Sequence, residues 1–297
     1  MEIEVEIYSN DEKINNFVNE KVQSESERCF QKLDKGWQVK ITKNQKIAND
    51  KFKNLISYLG DNRSLDIPVI FFNTQSQWAK EAKVNRDYAF LNRDEKGVFV
   101  AINLDKILED AEYDFYTEDN NQEMILDKEK NNFRDWISPY NLQTLLNHEN
   151  IHGYSKYYRD ENYGISGLLI YQTNLENPNH STILNNNSLD EALTEFFAKI
   201  SICMDSGVIN KDLYNQINEY CPYRDDKILD LLNFVENKSP NLVQKFLKTL
   251  WFAKKTGEYF AITHFLKKYT DLNFTRENLY DIHNYELGNN QIHKKSS

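Results

Sequence analysis

Apolar residues recur along this chain with two periods, and the alternation between them predicts its elements. Glu2 to Tyr8 alternates polar and apolar positions, as a half-buried strand does. Residues 11–33 are charged and place Ile14, Phe17, Val18 and Val22 near helical spacing. Trp37 to Ile41 alternates again, and Asn49 to Leu59 returns to the helical period through Phe52, Leu55, Ile56 and Leu59. These segments predict a small α/β leader over residues 1–66. Ile67 to Phe72 is a continuous apolar run typical of a buried strand, with Pro68 near its start, where proline is tolerated. Tyr88–Leu91 and Val98–Ile102 flank a turn-rich centre and predict a hairpin. Residues 104–137 are acidic and read as a solvated charge run, with a flap over a cleft as the alternative.

The helical period then returns with clear ends. Ser138 is a good N-cap, Pro139 suits the first helical position, and Gly153 can take the left-handed conformation that stops a helix. Leu142, Leu145, His148, Glu149 and His152 fall on one face. A polar loop over residues 174–187 leads to a second amphipathic helix, Ser188 to Ile200. Its core face is Leu189, Ala192, Leu193, Phe196 and Ile200. From Lys211 on the pattern is helical, through Ile228–Val235, Leu242–Phe252 and Phe260–Tyr269. Residues 284–297 read as a frayed tail.

Composition narrows the class. At 297 residues, 40% of them hydrophobic, the chain can bury a sizeable core. The net charge of −10 argues against non-specific nucleic-acid binding, which needs excess Lys and Arg. No apolar run reaches the length of a membrane span, and the first residues lack the basic and apolar regions of a signal peptide. The three cysteines, Cys29, Cys203 and Cys221, match no zinc ribbon or disulfide framework. Reduced thiols in a cytoplasm fit them, and export without a signal peptide stays open. The oligomeric state is not legible.

The chemistry is concentrated in His148-Glu149-Asn150-Ile151-His152. Two histidines one helical turn apart can both reach one zinc ion, and the glutamate between them then lies beside the metal's water. A hydrolytic zinc needs a third protein ligand. Asp190-Glu191-Ala192-Leu193-Thr194-Glu195 opens the second helix and puts two glutamates one turn apart. Ser188 with Glu191 is also a capping box, S-x-x-E, so a purely structural role for Glu191 competes with a ligand role.

The H-E-x-x-H sequence is the zincin metallopeptidase signature, and the downstream stretch resembles the second motif of the gluzincins, the clan of thermolysin and the zinc aminopeptidases. The resemblance covers these two motifs and the layout of residues 67–200. It implies an α+β, zincin-like fold: a small mixed β-sheet lobe over an active-site helix, then a helical C-terminal lobe. Its parts would be the leader 1–66, a catalytic core 67–205 and a helical lobe 206–297 in one continuous unit. It implies Zn2+ held by His148, His152 and Glu191, with Glu149 as general base and Glu195 orienting a histidine ligand. The hairpin ahead of the helix would supply the strand that pairs with substrate. Asp190 departs from the family's usual Asn. The activity implied is hydrolysis of a peptide or protein substrate, and the absence of a G-x-M-E-N sequence favours endopeptidase over exopeptidase action. An oxyanion donor is also needed, and Tyr220, Tyr223, His180 or a tyrosine among 154–158 could supply it. Two rivals stand beside this reading. One is a zincin-fold protein that binds metal without turnover. The other is a metal-free interaction protein with a chance motif, which predicts His148 and Glu191 far apart.

Overall fold

The computed structural model describes residues 18–61, 67–94, 97–114, 142–159, 163–172, 182–183, 188–204, 209, 213, 217, 226–270 and 273–274. Within them the chain is α+β and mostly helical. It begins with α1 (Glu20–Gln31) and α2 (Lys35–Tyr58). Asp34 starts α2 by accepting a hydrogen bond from the Trp37 amide at 2.9 Å. The strand expected at Trp37–Ile41 is therefore helix. The alternation misled because Val39 is an exposed residue of α2, 67% accessible, while the buried stripe runs through Ile41, Ala48, Phe52 and Leu55. The strand expected at Glu2–Tyr8 lies outside the described residues.

A three-stranded sheet follows, of β1 (Val69–Phe72), β2 (Ala89–Asp94) and β3 (Gly97–Asn103), in the order β1-β3-β2. The expected hairpin is present: β2 and β3 pair antiparallel, Leu91 opposite Val100, while β1 runs parallel to β3. The short helix α3 (Gln77–Glu81) lies between β1 and β2, and α4 (Leu104–Asp114) follows β3. Period-two alternation sends each strand's residues to two faces. Ile70, Phe72, Phe99 and Ala101 pack with Val22 of α1 and Trp78 of α3. Phe71, Val100 and Ile102 pack with Ile41 and Ala48 of α2 and with Leu142 and Leu146 of the next helix, α5 (Leu142–Tyr154). Both faces are covered, which is why the strands read as unbroken apolar runs.

A second sheet is a meander that the periodicity did not announce. Its strands are β4 (Tyr157–Arg159), β5 (Tyr163–Ser166), β6 (Leu169–Gln172) and β7 (Thr182–Ile183), each antiparallel to the next. These strands are two to four residues long and rich in Tyr, too short to set up an alternation. Then come α6 (Ser188–Cys203), α7 (Asp226–Lys238), α8 (Val243–Thr256) and α9 (Phe260–Thr270), in agreement with the expected second motif helix and helical lobe.

The largest core joins both ends of the chain. Phe52 and Leu55 of α2 share it with Ile151 and Tyr154 of α5, Leu193 and Phe196 of α6, Leu229 of α7, Phe246 and Trp251 of α8, and Phe265 of α9. Each such fully buried side chain contributes on the order of 1.5–3 kcal/mol relative to exposure. So α5 is held on two sides, its first half against the sheet and its second half against the helices. A polar clamp adds to this: the Asn147 amide donates to the Ser201 hydroxyl at 2.7 Å, tying α5 to α6.

Candidate metal centre

The two histidines come from α5, one turn apart. Glu191 comes from the first turn of α6, which packs beside it. The three side chains converge. His148 Nε2 and His152 Nε2 are 3.2 Å apart, with Glu191 Oε2 3.5 Å from the first and Glu191 Oε1 3.6 Å from the second. Donors about 2.05 Å from one tetrahedral ion stand about 3.3 Å from each other, so the spacing fits a single metal. One ligand atom from each residue lies within 4.8 Å of the others, and this is the His–His–Glu group among the described residues that could hold a metal. The separation of His148 and Glu191 expected of a chance motif is not seen.

Glu195, one turn after Glu191, accepts from His148 Nδ1 at 3.1 Å. An ionised carboxylate can only accept, so Nδ1 carries a proton, and a metal that displaced the proton on Nε2 would meet that atom's lone pair facing the donor set. Lys199, another turn along, stands 3.3 Å from the second Glu195 oxygen. Burial pushes Glu195 up, but the His148 bond and the Lys199 charge outweigh it and lower it. Glu191 shows the same competition: burial raises it, while His152, His148 and Lys254 hold it well below the usual carboxylate range. Its carboxylate faces the histidines at these distances.

Behind His152 lies a residue set that the sequence reading left without a role. Asp190 Oδ2 is 3.7 Å from His152 Nδ1, and Lys254 of α8 donates to that same oxygen at 2.7 Å. Lys254 Nζ is 3.4 Å from His152 Nδ1. Burial and then the Lys254 charge keep the His152 ring well below the ordinary imidazole range. A signal for Lys254 was present. It falls on the stripe Val243, Phe246, Leu247, Leu250, Ala253 that buries α8, where a solvated lysine does not belong.

Glu149, next to His148 on α5, reaches β2 and shares a cavity with His152. The carboxyl is 8% exposed and accepts a hydrogen bond from the Leu91 amide. Burial pushes it up, His148 and that amide pull it down, and it settles at about 7. It lines a cavity of about 280 Å³ with Leu91, Arg93, His152, Tyr157 and Ser166. Arg93 of β2 closes this side: its Nη2 donates to the carbonyls of His152 at 2.6 Å, Gly153 at 2.9 Å and Ser155 at 3.3 Å. Its guanidinium lies over the Tyr157 ring, 4.8 Å from the centroid.

This arrangement corrects the expected helix end. Gly153 is not left-handed, and α5 runs on to Tyr154. The terminal carbonyls are met by Arg93, which donates to those of His152 and Gly153, and by Ser155, whose amide and hydroxyl donate to those of His152 and Ile151. Gly153 answers a close approach, since a Cβ there would collide with the Ile67 side chain. Ser138 and Pro139, the expected start of this helix, lie outside the described residues. So do the oxyanion candidates Tyr220, Tyr223 and His180 and the acidic stretch 115–137. Of the tyrosines among 154–158, Tyr154 is buried in the helical core and Tyr157 lines the cavity. Cys29 and Cys203 are buried free thiols, and no described helix is long and apolar enough to cross a membrane.

No protein-family model matches the chain, and no match was found among the curated proteins or the solved structures.

Proposed function

We propose that this protein is a zinc-dependent peptidase of gluzincin type, in which His148, His152 and Glu191 hold the ion. The observation that carries the reading is the convergence of these three donor groups at 3.2–3.6 Å, with a buried carboxyl, Glu149, beside them. Two neutral imidazoles and one carboxylate are a donor set of hydrolytic zinc, with a fourth position left for water or substrate. When bound, zinc acidifies a water and polarises a carbonyl.

The chain's own residues do the rest. Glu149 takes the attacking water's proton and passes it to the leaving amine. Glu195 fixes the tautomer and plane of the His148 ring. Among the described residues β2 is an edge strand of its sheet, paired to β3 on one side. Its other side borders the cavity at Leu91 and Arg93, where an extended peptide can add as a further strand. Such a site binds substrate along its backbone, which suits cleavage within a chain.

The test pairs metal analysis with a point variant. Wild-type protein should take up one zinc per chain and cleave a peptide library, and Glu149→Gln should keep the zinc and lose cleavage. Wild type without stoichiometric metal under replete conditions overturns the reading. Zinc with no cleavage of any peptide leaves the metal site standing and assigns the protein to binding without turnover.

A further inference from the structure

We infer that Lys254 is a positioning residue of the metal site, holding the His152 ligand in place through Asp190. The inference rests on the metal-site reading above. Lys254 and Asp190 are 0% and 1% exposed, so both are removed from water. A buried ion pair is no more stabilising than a well-packed apolar pair, because desolvation costs several kcal/mol per ion. Fold stability therefore does not account for a lysine here. Its location does: Nζ is 2.7 Å from Asp190 Oδ2 and 3.4 Å from His152 Nδ1, on the far side of the ring from the donor atoms.

The carboxylate between them is fixed at both oxygens by different elements. Asp190 Oδ1 accepts from the Leu168 amide at 2.8 Å, in the turn between β5 and β6, and Oδ2 accepts from Lys254 on α8. The turn can approach this closely because Gly167 has φ +58°. A Cβ there would stand 2.6 Å from Asp190 Oδ1 and 3.2 Å from Lys254 Nζ. With both oxygens held, Oδ2 stands 3.7 Å from Nδ1, close enough to accept, after a small shift, the Nδ1–H that His152 must carry when Nε2 binds a metal.

The His148 side repeats the scheme, with Glu195 behind the ring and Lys199 behind Glu195. Each imidazole is thus backed by an acid, and each acid by a buried lysine. The lysines cancel the charges of the orienting acids, so Glu191 and Glu149 are left to face a dication. Glu195 and Lys199 come from α6 itself, whereas Lys254 comes from α8, about sixty residues downstream. The helical C-terminal lobe is thereby part of the metal site.

The experiment compares Lys254→Met, Asp190→Asn/Lys254→Met and Asp190→Ala/Lys254→Met with wild type. The readouts are zinc affinity by chelator competition and the visible spectrum of the cobalt-loaded protein, both on folded fractions. Lys254→Met should bind zinc about 10–100-fold more weakly, as loss of a ligand's outer partner does, with an altered cobalt spectrum. The Asn/Met pair should regain most of the affinity, since a neutral amide oxygen accepts from His152 without a lysine. The Ala/Met pair, equally free of buried charge, should not. Wild-type affinity and spectrum in Lys254→Met overturn the inference, as does an Asn/Met pair no better than Ala/Met. If Lys254→Met does not fold, the two double variants decide, and an unfolded Asn/Met pair also overturns it. Wild type that takes up no zinc is a separate result, which removes the metal-site reading itself.

Discussion

His148 Nδ1 and Glu195 Oε2 are 3.1 Å apart across two different helices, and that contact decides which face of the imidazole is free. α5 brings the ring and α6 brings the acid. The pair is seated by apolar packing on both sides of the α5–α6 contact, with Ile151 and Tyr154 on one helix and Leu193 and Phe196 on the other. Removing the charge while keeping the shape isolates the orienting role. Glu195→Gln should fold and should weaken zinc binding by about 10–100-fold, the usual effect of losing a ligand's outer partner. Zinc affinity by chelator competition checks it. An unchanged affinity would make Glu195 a partner of Lys199 alone.

Glu191 has two roles to separate, ligand and helix cap. Gln can serve at the same position of a capping box, whereas Ala cannot. If Glu191 is a ligand, Glu191→Gln and Glu191→Ala should both lose tight zinc binding. If it acts as a cap only, Gln should be silent, and Ala should cost about 1 kcal/mol of stability with zinc affinity intact. Metal content after dialysis, alongside thermal denaturation, distinguishes the outcomes.

What the sequence made legible follows from spacing. His148, Glu149 and His152 announce themselves because four residues is one helical turn, and Glu191 and Glu195 repeat that interval on α6. The apolar runs Ile67–Phe72 and Val98–Ile102 and the long C-terminal helices were equally plain, because their patterns extend over enough residues to be read. The misses have different causes. Trp37–Ile41 alternates for five residues within a longer helical stripe, and the longer pattern wins because α2 buries Ile41, Ala48, Phe52 and Leu55 together. The β4–β7 strands are held by pairing with one another, which leaves no local periodic mark. Arg93 and Lys254 reach the site from 59 and 102 residues away, and no local pattern encodes a tertiary contact of that range. The histidine pair and the Glu195 expected to orient one ring were thus readable, whereas the Asp190–Lys254 support behind His152 became visible only with the fold.

Proton competition gives the site a pH dependence with a definite sign. Burial alone would lower the His148 imidazole, but the hydrogen bonds it donates to Glu191 and Glu195 and the Glu149 charge raise it from 6.5 to about 10. In protein stripped of metal, a raised imidazole contributes stability that is fully present below 6.5 and is lost as the pH climbs through about 10. Thermal stability of the stripped protein should therefore fall across that interval, and His148→Asn should remove the slope. Zinc must displace the same proton, so apparent zinc affinity should rise with pH over the same interval. Calorimetric titration in buffers of different ionisation enthalpy should detect proton release. No release on zinc uptake would place the metal elsewhere.

Arg93 joins β2 to the end of α5, and its replacement should separate stability from chemistry. The last carbonyls of a helix lack partners within it, and a cation there also meets the negative end of the helix dipole. Arg93 supplies both the donors and the charge, to His152, Gly153 and Ser155. Hydrogen bonds to charged groups contribute about 1.5–3 kcal/mol each at most, and these three share one nitrogen, so Arg93→Met should cost about 2–4 kcal/mol. Arg93→Lys should recover only part, because an ammonium cannot both cap the helix and stack on Tyr157 as a planar guanidinium does. Chemical denaturation of the three proteins checks the order, Arg above Lys above Met. Zinc affinity should fall less than stability, because the Nε2 atoms are set by Glu195 and Asp190 behind the rings and not by the carbonyls that Arg93 holds. The same arginine borders the cavity beside Glu149, so the Met variant should also raise KM for peptide substrate more than it lowers kcat. Equal stability of Met and wild type would show that solvent, not Arg93, satisfies the end of α5.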